Sequence, residues 1–304
     1  YLHIKRRIED TLCSKMDVLN AEGGGLILLV GSAGDGKSHL ISSVRNRETY
    51  EDFHFYNDAT ESYSPTKTAI DTLREVLVDY ADNNINVTSK KMVLAINIGK
   101  LNAFFEDESV RATYGKLIDF IAPLFSEKDE VITDKTRLKL VQFANQQIFE
   151  FNKDDVVEYP VDSSFFREFL HRITIQDNSN PFYGAYKESL PLDSTKMDPV
   201  TLNYQLLCMT DVQNTIVKLV IEAIVRFKLM VTPRDFQDFV YSILVPEHIE
   251  GWSEGSLLLK ALMPTMLFCG SRSKIQRYIS KLDPLKYSST EHDNELSNLF
   301  TSPM

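Results

Sequence analysis

Gly31-Ser-Ala-Gly-Asp-Gly-Lys-Ser38 places three glycines, a lysine and a hydroxyl at the spacing G-x-x-x-x-G-K-[ST], the phosphate-binding P-loop. Gly31, Gly34 and Gly36 permit backbone conformations that a side chain would block, so the chain can wrap closely around an anion. Lys37 then supplies a charge for the β- and γ-phosphates, and the Ser38 hydroxyl a ligand for Mg²⁺. The residues expected to line the phosphates are Gly31, Ser32, Ala33, Gly34, Asp35, Gly36, Lys37, Ser38 and His39. A chance match to the pattern in a chain of this length is on the order of one in a hundred. ATP with Mg²⁺ is therefore the expected cofactor pair.

The loop needs a strand before it and a helix after it to aim its N–H groups at one point. Leu26-Ile-Leu-Leu-Val30 is short and apolar throughout, the pattern of a strand buried on both faces. His39 to Arg45 can continue as a helix from near Gly36. Phe53-His-Phe-Tyr56 reads as a second strand with Asn57 to Glu61 as its polar end, and Lys91 to Asn97 as a third. Ser64-Pro65 opens a helix running to Tyr80. Leu2 to Asn20 has helical periodicity, and Ile98 to Leu101 reads as a loop before a helix from Asn102. Alternating strands and helices predict an α/β fold, a P-loop NTPase-like parallel sheet flanked by helices.

Val156 to Pro160 suggests a further strand and Ser163 to Ile175 a capped amphipathic helix. Turn-rich segments over 177–183 and 191–199 mark a change of character. Beyond Pro199 the pattern is helical over 201–208, 212–228, 233–244 and 255–262. The expected division is a nucleotide-binding domain over 1–190 and a helical lid or bundle over 191–304.

An ATPase also needs an acid near Mg²⁺ and a group that orients the attacking water. Two positions offer themselves. Asp58 follows the second strand, as a metal ligand or catalytic acid, or simply as a turn-forming residue. Asn97 ends the third strand; it can orient phosphate or water but cannot act as a base. Arg234, behind Thr232-Pro233 at a helix start, is either a γ-phosphate sensor or a surface partner of Asp238 four residues on. Catalytic candidates are thus Lys37, Asp58, Asn97 and Arg234, and metal candidates Ser38 and Asp58. Arg272 and Arg277 form a basic stretch, read either as a contact for phosphate or a partner or, more simply, as a solvated helix face.

The 304 residues are 43% hydrophobic and 25% charged, with a net charge of −10. That balance weighs against a wholly nucleic-acid-coating surface while permitting a local basic patch. No apolar run is long enough to cross a membrane, and no apolar signal core opens the chain. Cys13, Cys208 and Cys269 are far apart and fit buried, reduced thiols in the cytoplasm. The six histidines lack zinc-ligand spacing.

Taken with Asn57-Asp-Ala-Thr-Glu-Ser62, Pro65, Lys67-Thr-Ala-Ile-Asp71, Leu94-Ala-Ile-Asn-Ile-Gly-Lys-Leu-Asn102 and Asn180-Pro-Phe-Tyr183, the segment Gly31 to Leu40 resembles the DptF family. These are ATPase-like components of the bacterial DNA phosphorothioation-dependent restriction system, a phage defence. The resemblance touches most of the first 240 residues; only the P-loop is a general motif. It implies a cytoplasmic ATPase working with DptG- and DptH-like companion subunits on DNA that lacks the modification. DNA would be contacted directly or through those partners. Lys37 and Ser38 carry over as nucleotide contacts and Asn97 as the end of the third strand. Family members are longer, so the chain is expected to be part of a longer protein. The alternative from another class is a nucleotide-gated scaffold with little hydrolysis, favoured by Asn rather than Asp at 97. A P-loop kinase is a third reading, with no compact acceptor motif behind it.

Overall fold

The computed structural model describes residues 1–57, 69–126, 132–143, 148–151, 161–191, 198–247 and 255–282. The chain divides into two compact units, one formed by Lys5–Gln147 and the other by Tyr1–Ile4 with Ile148–Met304.

The first unit is α/β. Its elements are α1 (Arg7–Glu22), β1 (Gly25–Gly31), α2 (Lys37–Val44), β2 (Phe53–Asn57), α3 (Ala69–Leu77), β3 (Lys91–Asn97), α4 (Ile98–Glu106), α5 (Glu108–Arg111), α6 (Gly115–Ile121) and β4 (Leu138–Gln142). The four strands form one parallel sheet in the order β2-β3-β1-β4. β1 is central and every residue in it is buried, as its unbroken apolar run requires.

Alternation along the strands feeds two cores. Leu26, Leu28, Val30, Leu94 and Ile96 pack with Leu73, Leu77, Leu101, Phe104 and Phe120 from α3, α4 and α6. Ile27, Leu29, Val93 and Ala95 pack on the other face with Leu12, Met16 and Leu19 of α1 and Leu40, Ile41 and Val44 of α2. Burying a Leu or Ile side chain contributes about 1.5–3 kcal/mol, so the sheet is clamped from both sides.

Two expectations change here, and one strand is new. The N-terminal helix starts at Arg7, not Leu2; Leu2 and Ile4 pack in the helical unit instead. The segment Ile98 to Leu101 is not a loop, because the Asn97 side chain caps α4 directly by accepting the Gly99 N–H at 2.9 Å. β4 has no counterpart in the sequence reading. Its apolar run is interrupted by Lys139, which is nonetheless only 5% exposed and pairs with Glu22 at 2.8 Å.

The second unit holds a short antiparallel pair, β5 (Glu150–Phe151) with β6 (Val161–Asp162). Its helices are α7 (Ser164–Thr174), α8 (Pro181–Ser189), α9 (Pro199–Leu207), α10 (Thr210–Phe227), α11 (Pro233–Leu244), α12 (Gly255–Ala261), α13 (Met263–Cys269) and α14 (Lys274–Ile279). Among the described residues beyond Pro199 every element is a helix, α9 to α14, as the periodicity predicts. The two compact units divide at 147/148. Phe166, Phe169, Leu170 and Ile173 of α7 pack with α10 and α11 around fully buried Phe236 and Phe239. Val156 to Pro160 and Ser64-Pro65 lie outside the described residues.

Candidate phosphate-binding site

The loop Gly31–Gly36 leaves the C-terminal end of the central strand and enters α2, the end of an open α/β sheet where ligands bind. Gly34 and Gly36 have φ of +88° and +94°, in the left-handed region that favours glycine. A Cβ on Gly36 would stand 2.9 Å from Nη2 of Arg6, and one on Gly31 would stand 2.7 Å from Oδ2 of Asp35 and 3.0 Å from Cβ of Phe143. Conformation thus favours glycine at 34 and 36, and crowding by Asp35 and Phe143 favours it at 31.

Backbone donors accumulate in this loop. Ser32 N–H donates to Oδ2 of Asp35 at 2.5 Å. The N–H groups of Ala33, Gly34, Gly36 and Ser38 meet no protein acceptor among the described residues. Together with the N-terminus of α2 they form a cluster of free donors suited to a polyphosphate. Lys37 Nζ lies over the same loop, donating to the carbonyls of Gly31 at 3.1 Å and Ser32 at 2.6 Å. Ser38 and His39 are exposed on the first turn of α2. This loop fits a nucleoside triphosphate, with Ser38 Oγ as the Mg²⁺ ligand it can supply. Among the described residues, no cluster of three or more His, Cys, Asp or Glu could hold a metal by itself.

The structure brings Asn97 to the loop. β3 is the immediate neighbour of β1, and Asn97 pairs in register with Gly31. Its Oδ1, however, accepts the Gly99 N–H, so the carboxamide is engaged in capping α4. Asp58 lies outside the described residues; β2, which it follows, is separated from β1 by β3. Arg234 belongs to the second unit. Thr232 and Asp235 form a reciprocal capping box with Pro233 at the first position of α11, as the sequence predicts for a helix start. Arg234 is exposed and makes no ion pair among the described residues, so the Asp238 bridge expected as its alternative does not form. Arg272 donates to the Val245 carbonyl and lies 3.7 Å from Glu247. Of the cysteines, Cys13 and Cys208 are half-buried and Cys269 is exposed; all three are free thiols.

Arg6 escaped sequence reasoning altogether. It precedes α1 and donates from Nη2 to the Asp35 carbonyl at 2.9 Å, while its guanidinium covers the Phe143 ring at 5.2 Å. Burial lowers its pKa, opposed by Asp35 and Glu9. The only sequence signal was the basic run Lys5-Arg6-Arg7 at a helix start, where cations are disfavoured by the helix dipole.

Among the described residues no helix is long and apolar enough to cross a membrane. The chain matches no family model, no curated protein and no solved structure.

Proposed function

We propose that this chain is an ATP-binding protein of P-loop NTPase type, with the triphosphate held at Gly31 to Ser38 and Mg²⁺ at Ser38. One observation carries the reading: a glycine loop with unpaired backbone donors joins the central parallel strand to a helix N-terminus, with Lys37 folded over it. Electrostatics make that arrangement favourable for a polyanion whatever the rest of the chain does.

The biological setting follows from the resemblance to the DptF family. On that basis the protein is the ATPase-like component of a DNA phosphorothioation-dependent restriction complex in the cytoplasm, acting with DptG- and DptH-like subunits on DNA. The change on ATP hydrolysis would be passed on to those partners. A cell carrying the system with Lys37→Ala should fail to restrict DNA lacking the modification. Restriction at the parental level in that variant would contradict the assignment.

A second reading, a nucleotide-gated scaffold with little turnover, is favoured by Asn97. The residue beside the loop at the end of β3 is an amide engaged in capping, not a free carboxylate. Steady-state ATPase measured with and without DNA separates the two: a scaffold stays flat in both conditions.

A further inference from the structure

Arg6 has features that neither the motif nor the resemblance assigns. It is half-buried, belongs to the same compact unit as the phosphate loop, and makes no ion pair among the described residues. Its guanidinium lies over the ring of Phe143 at 5.2 Å, and the Phe143 N–H donates to the Val30 carbonyl at 3.0 Å, one residue before the loop begins. Its Nη2 donates to the Asp35 carbonyl at 2.9 Å. As the residue before α1, Arg6 also accepts the Glu9 N–H at 2.9 Å through its own carbonyl. The arginine is thus anchored at its backbone by a helix, along its side chain by β4's end, and at its tip by the loop.

The tip contact orients a donor. The Asp35–Gly36 peptide is planar and trans, so its N–H points opposite to its C=O. Holding the Asp35 carbonyl on Arg6 turns the Gly36 N–H away from the arginine, and that N–H has no protein acceptor among the described residues. A fixed guanidinium this close to the loop also adds positive charge where a polyphosphate collects negative charge.

We propose that Arg6 is a nucleotide-positioning residue that presets the Gly36 N–H for the phosphates and reinforces the loop's positive potential. The inference rests on the nucleotide-binding reading above. It deepens that reading by giving the loop a second cation from outside the motif. Lysine is not equivalent here, since it lacks the planar fork that stacks on Phe143 while donating sideways.

Arg6→Met keeps an apolar stem for Phe143 and removes the donor and the charge. Titration of Mg-ATP and Mg-ADP into the parent, Arg6→Met, Arg6→Lys and Lys37→Ala, with the melting temperature of each nucleotide-free protein, tests the proposal. Arg6→Met is expected to weaken Mg-ATP binding about tenfold. Its loss for ATP should exceed that for ADP, and Arg6→Lys should fall between it and the parent. A purely structural role would instead lower the melting temperature and leave the ATP-to-ADP affinity ratio at its parental value. Parental affinity in Arg6→Met beside lost binding in Lys37→Ala overturns the role of Arg6 alone. Parental affinity in Lys37→Ala overturns the nucleotide-binding reading instead. Should Arg6→Met not fold, Arg6→Lys decides: a threefold or larger loss supports the proposal, and parental affinity and ATP-to-ADP ratio overturn it.

Discussion

Asn97 stands in register with Gly31 on the adjacent parallel strand, and its side-chain oxygen is turned to the Gly99 N–H of the following helix. The residue nearest the phosphate loop on β3 therefore serves first as a helix cap. With Oδ1 on the cap, the Nδ2 amide is the donor it can offer to a water or a phosphate. Capping thus fixes the orientation of the carboxamide, which decides which of its atoms can face the loop.

Capping makes Asn97 measurable by stability. Asn97→Ala should cost about 1 kcal/mol in urea denaturation. Asn97→Asp, which also caps and favours a helix N-terminus, should stay within about 0.5 kcal/mol of the parent. Equal stability of all three proteins would show that the cap does not contribute.

Gly36→Ala places a methyl group 2.9 Å from Arg6 Nη2 at a residue with φ of +94°. The left-handed conformation alone costs about 1–2 kcal/mol for a residue with a Cβ. Denaturation should show a loss of that size, and Mg-ATP affinity should fall with it. A variant as stable and as tight-binding as the parent would refute the loop geometry.

Glu22 links α1 to β4 through Lys139 at 2.8 Å and through the Arg137 N–H at 2.8 Å. Burial alone would raise its pKa, but these hydrogen bonds and charges hold it below the ordinary value of 4.5. With the folded value below the unfolded one, its contribution is full above pH 4.5 and is lost as the pH falls through the folded pKa. Glu22→Gln should therefore cost about 1–3 kcal/mol at pH 7, leaving buried Lys139 without its counter-charge. The gap from the parent should close as the pH drops below 4.5. A pH-independent gap in denaturation would contradict this linkage.

Arg234 is exposed at the start of α11 without an ion pair among the described residues. Arg234→Ala should leave stability within about 0.5 kcal/mol. If Arg234 senses the γ-phosphate, the preference for ATP over ADP should drop about tenfold, or about 1.4 kcal/mol. Unchanged preference would return it to a surface role.

Signals confined to a few neighbouring residues were legible in the sequence. Leu26 to Val30 and Met92 to Ile96 are apolar throughout and lie in strands, and Ser163 and Thr232 start helices as their side chains predict. Long-range pairing hid the rest. Lys139 is tolerated inside β4 because Glu22, far away in the chain, supplies a counter-charge. The place of α7 in the helical unit depends on Phe166 stacking against Phe236 at 4.1 Å, which no local pattern encodes. Arg6 likewise meets Asp35 only once β1 and α1 are packed together.

The central claim is that Gly31 to Ser38 binds a nucleoside triphosphate, and titration calorimetry of Mg-ATP into the parent and Lys37→Ala proteins tests it most directly. The parent should bind one equivalent. Lys37→Ala, deprived of the charge that lies over the loop, should bind about a hundredfold more weakly, a loss of about 2.8 kcal/mol. No binding by the parent, or equal affinity in both proteins, would contradict the claim.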